Sequence, residues 1–183
     1  ILEEGGKQHI SGKGRNPVIL SVADTAPKIL AIHLFRDEWC VALRDITLQT
    51  LCSYSFPVNK ETAPRVMENL YHTIDQVVEY ARGCHEKLFG ISVGSVGPVD
   101  VVRGMILNPP NFFGIRDLPV VELLKERYNM PVSFDSQYNC AALMEKYFGC
   151  CQDVEDFVFL GISNGIGSGV VSNGRLLRKR RKK

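Results

Sequence analysis

Apolar and polar positions alternate with different periods along the chain, and each period predicts one kind of element. Residues 29–35, 39–43 and 48–58 are short apolar runs separated by charged turns, which predicts three antiparallel strands. Residues 61–82 instead carry a single apolar stripe with spacings of three and four, which predicts a helix whose buried face holds Val66, Leu70, Ile74, Val77, Val78 and Ala81.

This predicted helix has sequence signals at both ends, because Pro64 suits its first turn and Gly83 suits its C-terminal stop. An apolar strand over residues 88–93 follows it. A strand, a long helix and a return strand form a crossover, which joins parallel strands. The sheet is therefore predicted to be mixed.

The rest of the chain is predicted to continue as mixed α/β structure. Two further helices are expected over 118–128 and 139–148, and further strands over 101–107, 131–134, 157–162 and 169–177. Glycine-rich residues at the start are interpreted as a flexible linker. The predicted segments are a linker over 1–17, a first α/β lobe over 18–115, the start of a second lobe over 116–177, and a basic tail over 178–183.

Charge is concentrated at one end of the chain. Hydrophobic residues make up 45% of the 183 residues and the net charge is +2. Removing the six basic residues at the end from the total of 22 leaves 16 basic against 20 acidic residues, so the body lacks the broad basic surface of a nucleic-acid reader. The tail could contact phosphates, but a solvated, disordered end is the favoured interpretation.

Neither a membrane segment nor a metal site is predicted. No apolar run approaches the ~20 residues that span a bilayer, and the acidic start lacks a signal-peptide core, so a cytoplasmic protein is expected. The six cysteines are scattered without ligand spacing, which argues against a metal site: Cys40, Cys52, Cys84, Cys140, Cys150 and Cys151.

Two loop motifs are candidates for ligand contact. Gly94 and Gly97 lie in a Gly-Ser-Val-Gly-Pro-Val-Asp run after a strand, where glycines permit a tight bend; a purely structural turn is the favoured alternative. In the run Asn108-Pro-Pro-Asn111, the asparagines each offer a donor and an acceptor, as sugar hydroxyls require. A rigid loop that caps its own backbone is an equally good interpretation of that run.

Two further motifs follow in the second half. Asp135, Ser136 and Gln137 lie between a buried strand and a helix, at the edge where open α/β sheets bind ligands, and Asn139 is expected to be the helix N-cap. Gly165 and Gly167 lie in a glycine run that resembles a phosphate-cradling turn. Most such runs are hairpins, and the missing helix and lysine exclude a P-loop.

In this order, the motifs resemble the ROK family, which groups bacterial repressors with sugar kinases, and the resemblance covers residues 14–177. It implies a sugar-kinase/actin-like (ribonuclease H-like) lobe with a mixed sheet and a truncated second lobe. Gly14-Arg15-Asn16-Pro17 is similar to the segment that follows a winged helix-turn-helix in NagC/XylR-type regulators of the family. A DNA-binding domain is therefore expected upstream of this chain.

The resemblance also implies roles for individual residues. Asn111 matches a sugar-contacting Asn of the family, and Asp135, Ser136 and Gln137 match a Glu, an Asn and the catalytic Asp of its kinases. A carboxamide cannot accept a proton from a sugar hydroxyl at neutral pH. These four residues are therefore predicted to bind a sugar or another effector without catalysis, and the cleft loops are predicted to contain Gly94, Gly97, Gly165 and Gly167.

The segment that approaches ATP phosphates in family kinases is also changed. Phe35 and Arg36 stand where those kinases have glycines, and bulky side chains there should block the phosphates. His33, at the start of the segment, is interpreted as a satisfied structural residue rather than a base or ligand. The family's Glu-x-Gly-His sugar motif and its Cys-rich zinc motif are not in this sequence.

The sequence therefore predicts part of a sugar-responsive transcriptional regulator, most simply a repressor. Its expected partners are a sugar or sugar-phosphate effector, operator DNA through the upstream domain, and further copies in a homodimer or homotetramer. No cofactor is expected in this chain, and zinc would belong to the remaining part of the second lobe. An ATP-dependent sugar kinase and a dimer scaffold that binds no sugar are the alternatives.

Overall fold

The computed structural model describes residues 2–7, 18–58, 62–110, 112, 114–163 and 165–178. Its helices are α1 (Ala63–Gly83), α2 (Val120–Tyr128) and α3 (Gln137–Tyr147). Its strands are β1 (Leu2–Lys7), β2 (Val18–Val22), β3 (Lys28–Leu34), β4 (Glu38–Arg44), β5 (Thr50–Pro57), β6 (Leu88–Ser95), β7 (Val99–Asp100), β8 (Met105–Ile106), β9 (Val132–Ser136), β10 (Phe157–Ile162), β11 (Ile166–Ser172) and β12 (Arg175–Leu176).

A five-stranded sheet in the order β5-β4-β3-β6-β9 forms the centre of the fold. Strands β3, β4 and β5 pair antiparallel, whereas β6 pairs parallel with β3 and β9 pairs parallel with β6. The predicted mixed sheet and the predicted crossover through a long helix are both confirmed. As a result, the carboxyl ends of β3, β6 and β9 lie together at one edge of the sheet.

One face of the sheet carries the hydrophobic core. Leu30, Ile32 and Leu34 of β3 are buried, while the residues between them are only partly buried, which is the period-two pattern of a strand. The predicted apolar stripe of α1 packs in the same cluster, with Leu70 and Ile74 fully buried. Burying each such side chain stabilises the fold by about 1.5–3 kcal/mol.

On the opposite face, strand register places three site residues in one row. His33 of β3 pairs with Gly94 of β6, which in turn pairs with Asp135 of β9. All three lie at the carboxyl ends of their strands. Gly94 was predicted to lie in a bend, and that prediction is wrong, because it is an interior residue of β6.

A second, three-stranded sheet in the order β10-β11-β12 packs against α3. Side chains built on Gly161 and Gly167 would overlap the ring of Tyr138, and one on Gly169 would overlap the Tyr138 main-chain oxygen. The glycine run is thus a hairpin whose missing side chains let α3 lie directly on the sheet. The other face of the hairpin exposes apolar side chains of Val158, Leu160, Ile162 and Ile166.

Three predicted elements are corrected by the structure. Residues 2–7, which were predicted to be flexible, instead form strand β1 and pair antiparallel with β2, while the assignment of residues 1–17 to a linker stays a prediction. Residues 101–107 are not one strand: β7 and β8 form a small hairpin that turns between them at residues 101–104. Residues 169–177 likewise divide into β11 and β12, because Asn173 and Gly174 adopt the positive φ of a tight turn.

The predicted lobe boundary between residues 115 and 116 falls inside the first packing unit. Both α2 and β9 lie beyond it, yet β9 belongs to the five-stranded sheet, and Leu124 and Phe134 belong to the main core. The division into lobes stays a prediction, and the sheets would place it after β9. Among the described helices, none is long and apolar enough to cross a lipid bilayer.

Helix α2 is fastened to α1 by an aromatic and ionic clamp. Tyr128 Oη donates to Asp75 Oδ1 at 2.9 Å and accepts from Arg127 Nε at 3.2 Å. The Arg127 guanidinium lies 4.6 Å from the centre of the Tyr71 ring and bonds to Asp75 Oδ2 at 2.7 Å. Asn129 then ends the helix in the left-handed conformation, with φ of 49°.

We expect Tyr128→Phe to lower the free energy of unfolding by about 1 kcal/mol. The ring and its packing remain, but the hydroxyl bonds to Asp75 and Arg127 are lost, and both partners are exposed enough to be rehydrated. Urea unfolding followed by circular dichroism measures the change. Tyr147→Phe is the matched control, since that ring is 62% exposed, and an equal loss in both variants would contradict the clamp.

Candidate ligand cleft

A cleft of about 1130 Å³ opens at the carboxyl ends of the parallel strands. The loop after β3, the loop after β6, the N-terminus of α3 and the β10–β11 hairpin line it. It therefore lies at the edge where the topology of open α/β sheets places ligands. Its volume is ample for a monosaccharide or a sugar phosphate.

The N-terminus of α3 is capped by Ser136. The backbone of Ser136 is extended and its Oγ accepts a hydrogen bond from the main-chain nitrogen of Asn139 at 3.3 Å. The prediction that Asn139 is the N-cap is therefore wrong, because the helix begins two residues earlier, at Gln137. The cap leaves the Ser136 hydroxyl proton available to a ligand.

The carboxylate of Asp135 is held by hydrogen bonds and an ion pair within the protein. Its Oδ1 accepts hydrogen bonds from Ser136 N at 2.7 Å and from Asn139 Nδ2 at 2.6 Å, and its Oδ2 pairs with Arg178 Nε at 2.8 Å. The residue is only 6% exposed and is not among the residues that line the cleft. Three donors thus hold this carboxylate between β9, α3 and the end of β12.

The ion pair with Asp135 also changes the picture of the basic tail. Arg178 was predicted to begin a solvated, disordered end, but its guanidinium is fixed by Asp135 and it lines the cleft. The remaining tail residues, 179–183, lie outside the described residues.

Gln137 lines the cleft and lies next to His33. The Oε1 atom of Gln137 and the Nε2 atom of His33 are both buried, and neither has a hydrogen-bond partner among the described residues. Burial lowers the pKa of His33 from its ordinary value of 6.5, and the neighbouring Gln137 side chain opposes this by a smaller amount. His33 is therefore neutral at pH 7, and it is not the fully satisfied structural residue that the sequence suggested.

Gly94 and Cys140 complete the surroundings of His33. A methyl group on Gly94 would lie 3.5 Å from Cys140 Sγ and 3.9 Å from the His33 ring, so the glycine leaves room where the three residues meet. Burial, reinforced by the nearby charge of Asp135, raises the pKa of Cys140 to about 11. The thiol is thus protonated and unreactive at neutral pH.

The loop after β3 forms one wall of the cleft. The Phe35 ring lies 3.5 Å from the His33 ring, and the Phe35 main-chain oxygen accepts from the buried Trp39 indole at 3.0 Å. The Arg36 guanidinium donates to the main-chain oxygen of Pro110 and crosses between two loops. Bulky side chains therefore occupy this wall, as the sequence predicted from the lost glycines.

The structure brings most of the predicted site residues together. Ser136, Gln137, Gly97, Gly165 and Gly167 line the cleft, whereas Gly94 and Asp135 lie behind it. Asn111 lies outside the described residues, although the neighbouring Pro110 lines the cleft.

Several charged cleft residues escaped the sequence reasoning. Arg178 and the carboxylates of Asp37, Glu38 and Asp100 line the cleft. The Gly-Ser-Val-Gly-Pro-Val-Asp run contained Asp100, so its terminal acid was the one available signal. The positions of Asp37, Glu38 and Arg178 relative to the cleft depend on the fold, so nothing in the sequence signalled them.

The described residues do not form a metal site. No group of three or more His, Cys, Asp or Glu side chains is arranged among them to hold a metal ion. The zinc that the family resemblance implies was expected outside this chain, and that expectation stays a prediction.

Comparisons with known proteins agree with the fold. The xylose repressor of Caldicellulosiruptor bescii is 28% identical over 180 residues, which cover 97% of this chain and 44% of that protein. The crystal structure of a ROK family transcriptional regulator, a homologue of the E. coli MLC protein, matches with a TM-score of 0.80 and 24% identity over 96% of this chain and 44% of its own. The ROK hexokinase from Thermus thermophilus gives a TM-score of 0.70 and 32% identity over 84% of this chain and 50% of its own.

The structural matches show the actin-like sugar-kinase fold that the sequence predicted. The chain spans less than half the length of the xylose repressor that it matches. The sequence profile of the ROK family covers residues 29–181, which includes the whole cleft and all of the central sheet except Lys28. The chain therefore belongs to the ROK family.

Proposed function

We propose that this chain is part of the effector-binding and dimerisation region of a sugar-responsive transcriptional repressor. The observation that carries the proposal is the carboxamide of Gln137 in the cleft, at the position where family kinases have their catalytic Asp. A cleft that keeps its shape but has an amide in place of the base can bind a sugar without transforming it. The similarity to a xylose repressor along nearly the whole chain supports the same reading.

Binding would control transcription through a two-state equilibrium. The cleft lies between the central sheet and the β10–β11 hairpin, so a sugar that contacts both would favour the closed arrangement of the two. If a DNA-binding domain upstream prefers one arrangement, the sugar changes the affinity for operator DNA by its differential affinity for the two states. Operator DNA and further copies of the protein are the partners that this proposal requires.

An ATP-dependent sugar kinase is the alternative function, and the 32% identity to a ROK hexokinase is the observation that favours it. Phosphoryl transfer needs a base at the acceptor hydroxyl and an open approach for the phosphates. Asp135, the carboxylate closest in sequence to the catalytic position, is held by three donors and lies behind the cleft. Phe35 and Arg36 occupy the phosphate approach, so the geometry favours binding over catalysis.

We expect the intact protein to bind its own upstream DNA and to release it when the effector is added. A gel shift with the DNA, titrated with D-xylose, D-glucose and their phosphates, measures this coupling. An unrelated DNA of equal length is the control. Gln137→Leu should leave DNA binding intact but weaken the sugar response, because the variant loses a polar contact in the cleft.

Two other results would favour the dimer scaffold or the sugar kinase over the repressor. DNA binding that no sugar alters would favour a dimer scaffold with an inactive cleft. Phosphorylation of a sugar by the intact protein in the presence of ATP, at a rate that Gln137→Leu abolishes, would establish the kinase and refute the repressor.

A further inference from the structure

We propose that His33 is a positioning residue, which holds the Gln137 carboxamide so that its NH2 group faces the cleft. This inference deepens the proposed function, because it specifies what the cleft offers a sugar at the position of the missing base. The cleft would present a hydrogen-bond donor there, where a kinase presents an acceptor. Ligands that place a ring, carbonyl or phosphate oxygen at this point would then be preferred.

The first support is a pair of buried polar atoms that have no hydrogen-bond partner among the described residues. Gln137 Oε1 and His33 Nε2 are both enclosed, and a buried polar atom without a hydrogen bond costs about 1–3 kcal/mol. An imidazole that carries its proton on Nε2 would satisfy both atoms with one bond to the neighbouring Gln137, because the carboxamide oxygen only accepts. Since the oxygen is then engaged behind the cleft wall, the NH2 group is the part of Gln137 left for a ligand.

The second support is the way in which the fold fixes the imidazole. Strand β3 places His33 in the row of Gly94, whose missing side chain leaves space for the ring. The Phe35 ring covers it at 3.5 Å on the cleft side. Buried between these groups, His33 has few rotamers and can orient Gln137 without contacting the ligand itself.

The third support is the charge state of the surroundings. Cys40 of β4 is the register partner of His33, and Cys140 Sγ and the His33 ring both border the space left by Gly94. Asp135 lies two strands away in the same row and is paired with Arg178. Burial keeps His33 neutral, so Nδ1 carries no proton when Nε2 carries one. A neutral ring with a fixed tautomer is what the positioning role requires.

Nitrogen NMR of the ligand-free intact protein tests the tautomer directly. With selectively labelled histidine, we expect the His33 ring to show the Nε2–H tautomer and a pKa below 6.5. Replacing Gln137 with Met should lower that pKa further, because the bond that favours the protonated ring is removed. An Nδ1–H tautomer, or a pKa that Gln137→Met leaves unchanged, would overturn the proposal.

Three substitutions at His33 then separate positioning from packing. In His33→Gln, the side-chain amide nitrogen reaches about as far as imidazole Nε2 and can still donate to Gln137. In His33→Asn the amide is one carbon too short, and in His33→Phe the donor is lost. We expect the Kd for an effector sugar, measured by titration calorimetry, to rise about tenfold in the last two variants and about threefold or less in His33→Gln.

The outcomes distinguish this inference from the function on which it rests. If His33→Gln binds as weakly as His33→Phe, His33 acts only through packing and the positioning role is refuted. If the wild-type protein binds none of the sugars tested, the effector function fails, whereas the NMR result still decides the His33–Gln137 bond by itself.

Discussion

The Gly169→Ala variant is expected to lose about 3 kcal/mol of stability, although it adds only one methyl group. The new carbon would overlap the main-chain oxygen of Tyr138 and approach Cβ of Ala142 to 2.7 Å. Main-chain atoms within a helix cannot move aside singly, so α3 would have to shift away from β11. The melting temperature, followed by circular dichroism, should fall by about 6–12 °C.

Gly83→Ala is the matched control for this substitution. Gly83 is the last residue of α1, and a methyl group there would meet nothing within 4 Å. Its melting temperature should stay unchanged or rise slightly, because alanine favours a helix more than glycine does. A melting temperature of Gly169→Ala within about 2 °C of that control would show that α3 does not lie directly on β11.

The second large effect is expected for Asp135→Ala, which should lower the free energy of unfolding by about 2–3 kcal/mol. The substitution leaves the amide of Asn139, the main-chain nitrogen of Ser136 and the guanidinium of Arg178 without their shared acceptor. Half of the Arg178 side chain is exposed and can be rehydrated, which keeps the loss below that of a fully buried ion pair.

Urea unfolding of two further variants shows whether the shared acceptor causes this loss. Asp153→Ala removes an exposed carboxylate and should change stability by less than about 0.5 kcal/mol. Arg178→Ala should cost about 1 kcal/mol, because Asp135 keeps two hydrogen bonds and gains water. Equal losses in Asp135→Ala and Asp153→Ala would mean that the bonds between β9, α3 and β12 contribute nothing.

The sequence was most informative where local periodicity and tertiary burial agree. The stripe of α1 was visible because its apolar residues repeat along one helix face, and the core buries all of them except Val78, which is partly buried against it. Parallel pairing of β6 followed from the length of the crossover alone. The order of the motifs then identified the family, which no single motif could have done.

The features that the sequence did not predict depend on contacts between residues far apart in the chain. Strand β1 looked like a linker because glycine and lysine have low strand propensity, and its pairing with β2 depends on a tertiary arrangement. Ser136 and Asn139 are both good N-cap residues, so only the observed end of β9 decides between them. Nothing near Gly167 in sequence indicates that the ring of Tyr138 will lie over it.

The parallel pairing of β3 with β6 has a kinetic consequence. Strands β3, β4 and β5 are neighbours in sequence, whereas the contact between Lys28 and Leu88 must close a loop that contains two strands and a long helix. Closing such a loop has an entropic cost that is met before the pairing yields stability, and contacts of this kind slow folding. The ligand cleft requires β3, β6 and β9 side by side, so it is expected to assemble only after the antiparallel strands have formed.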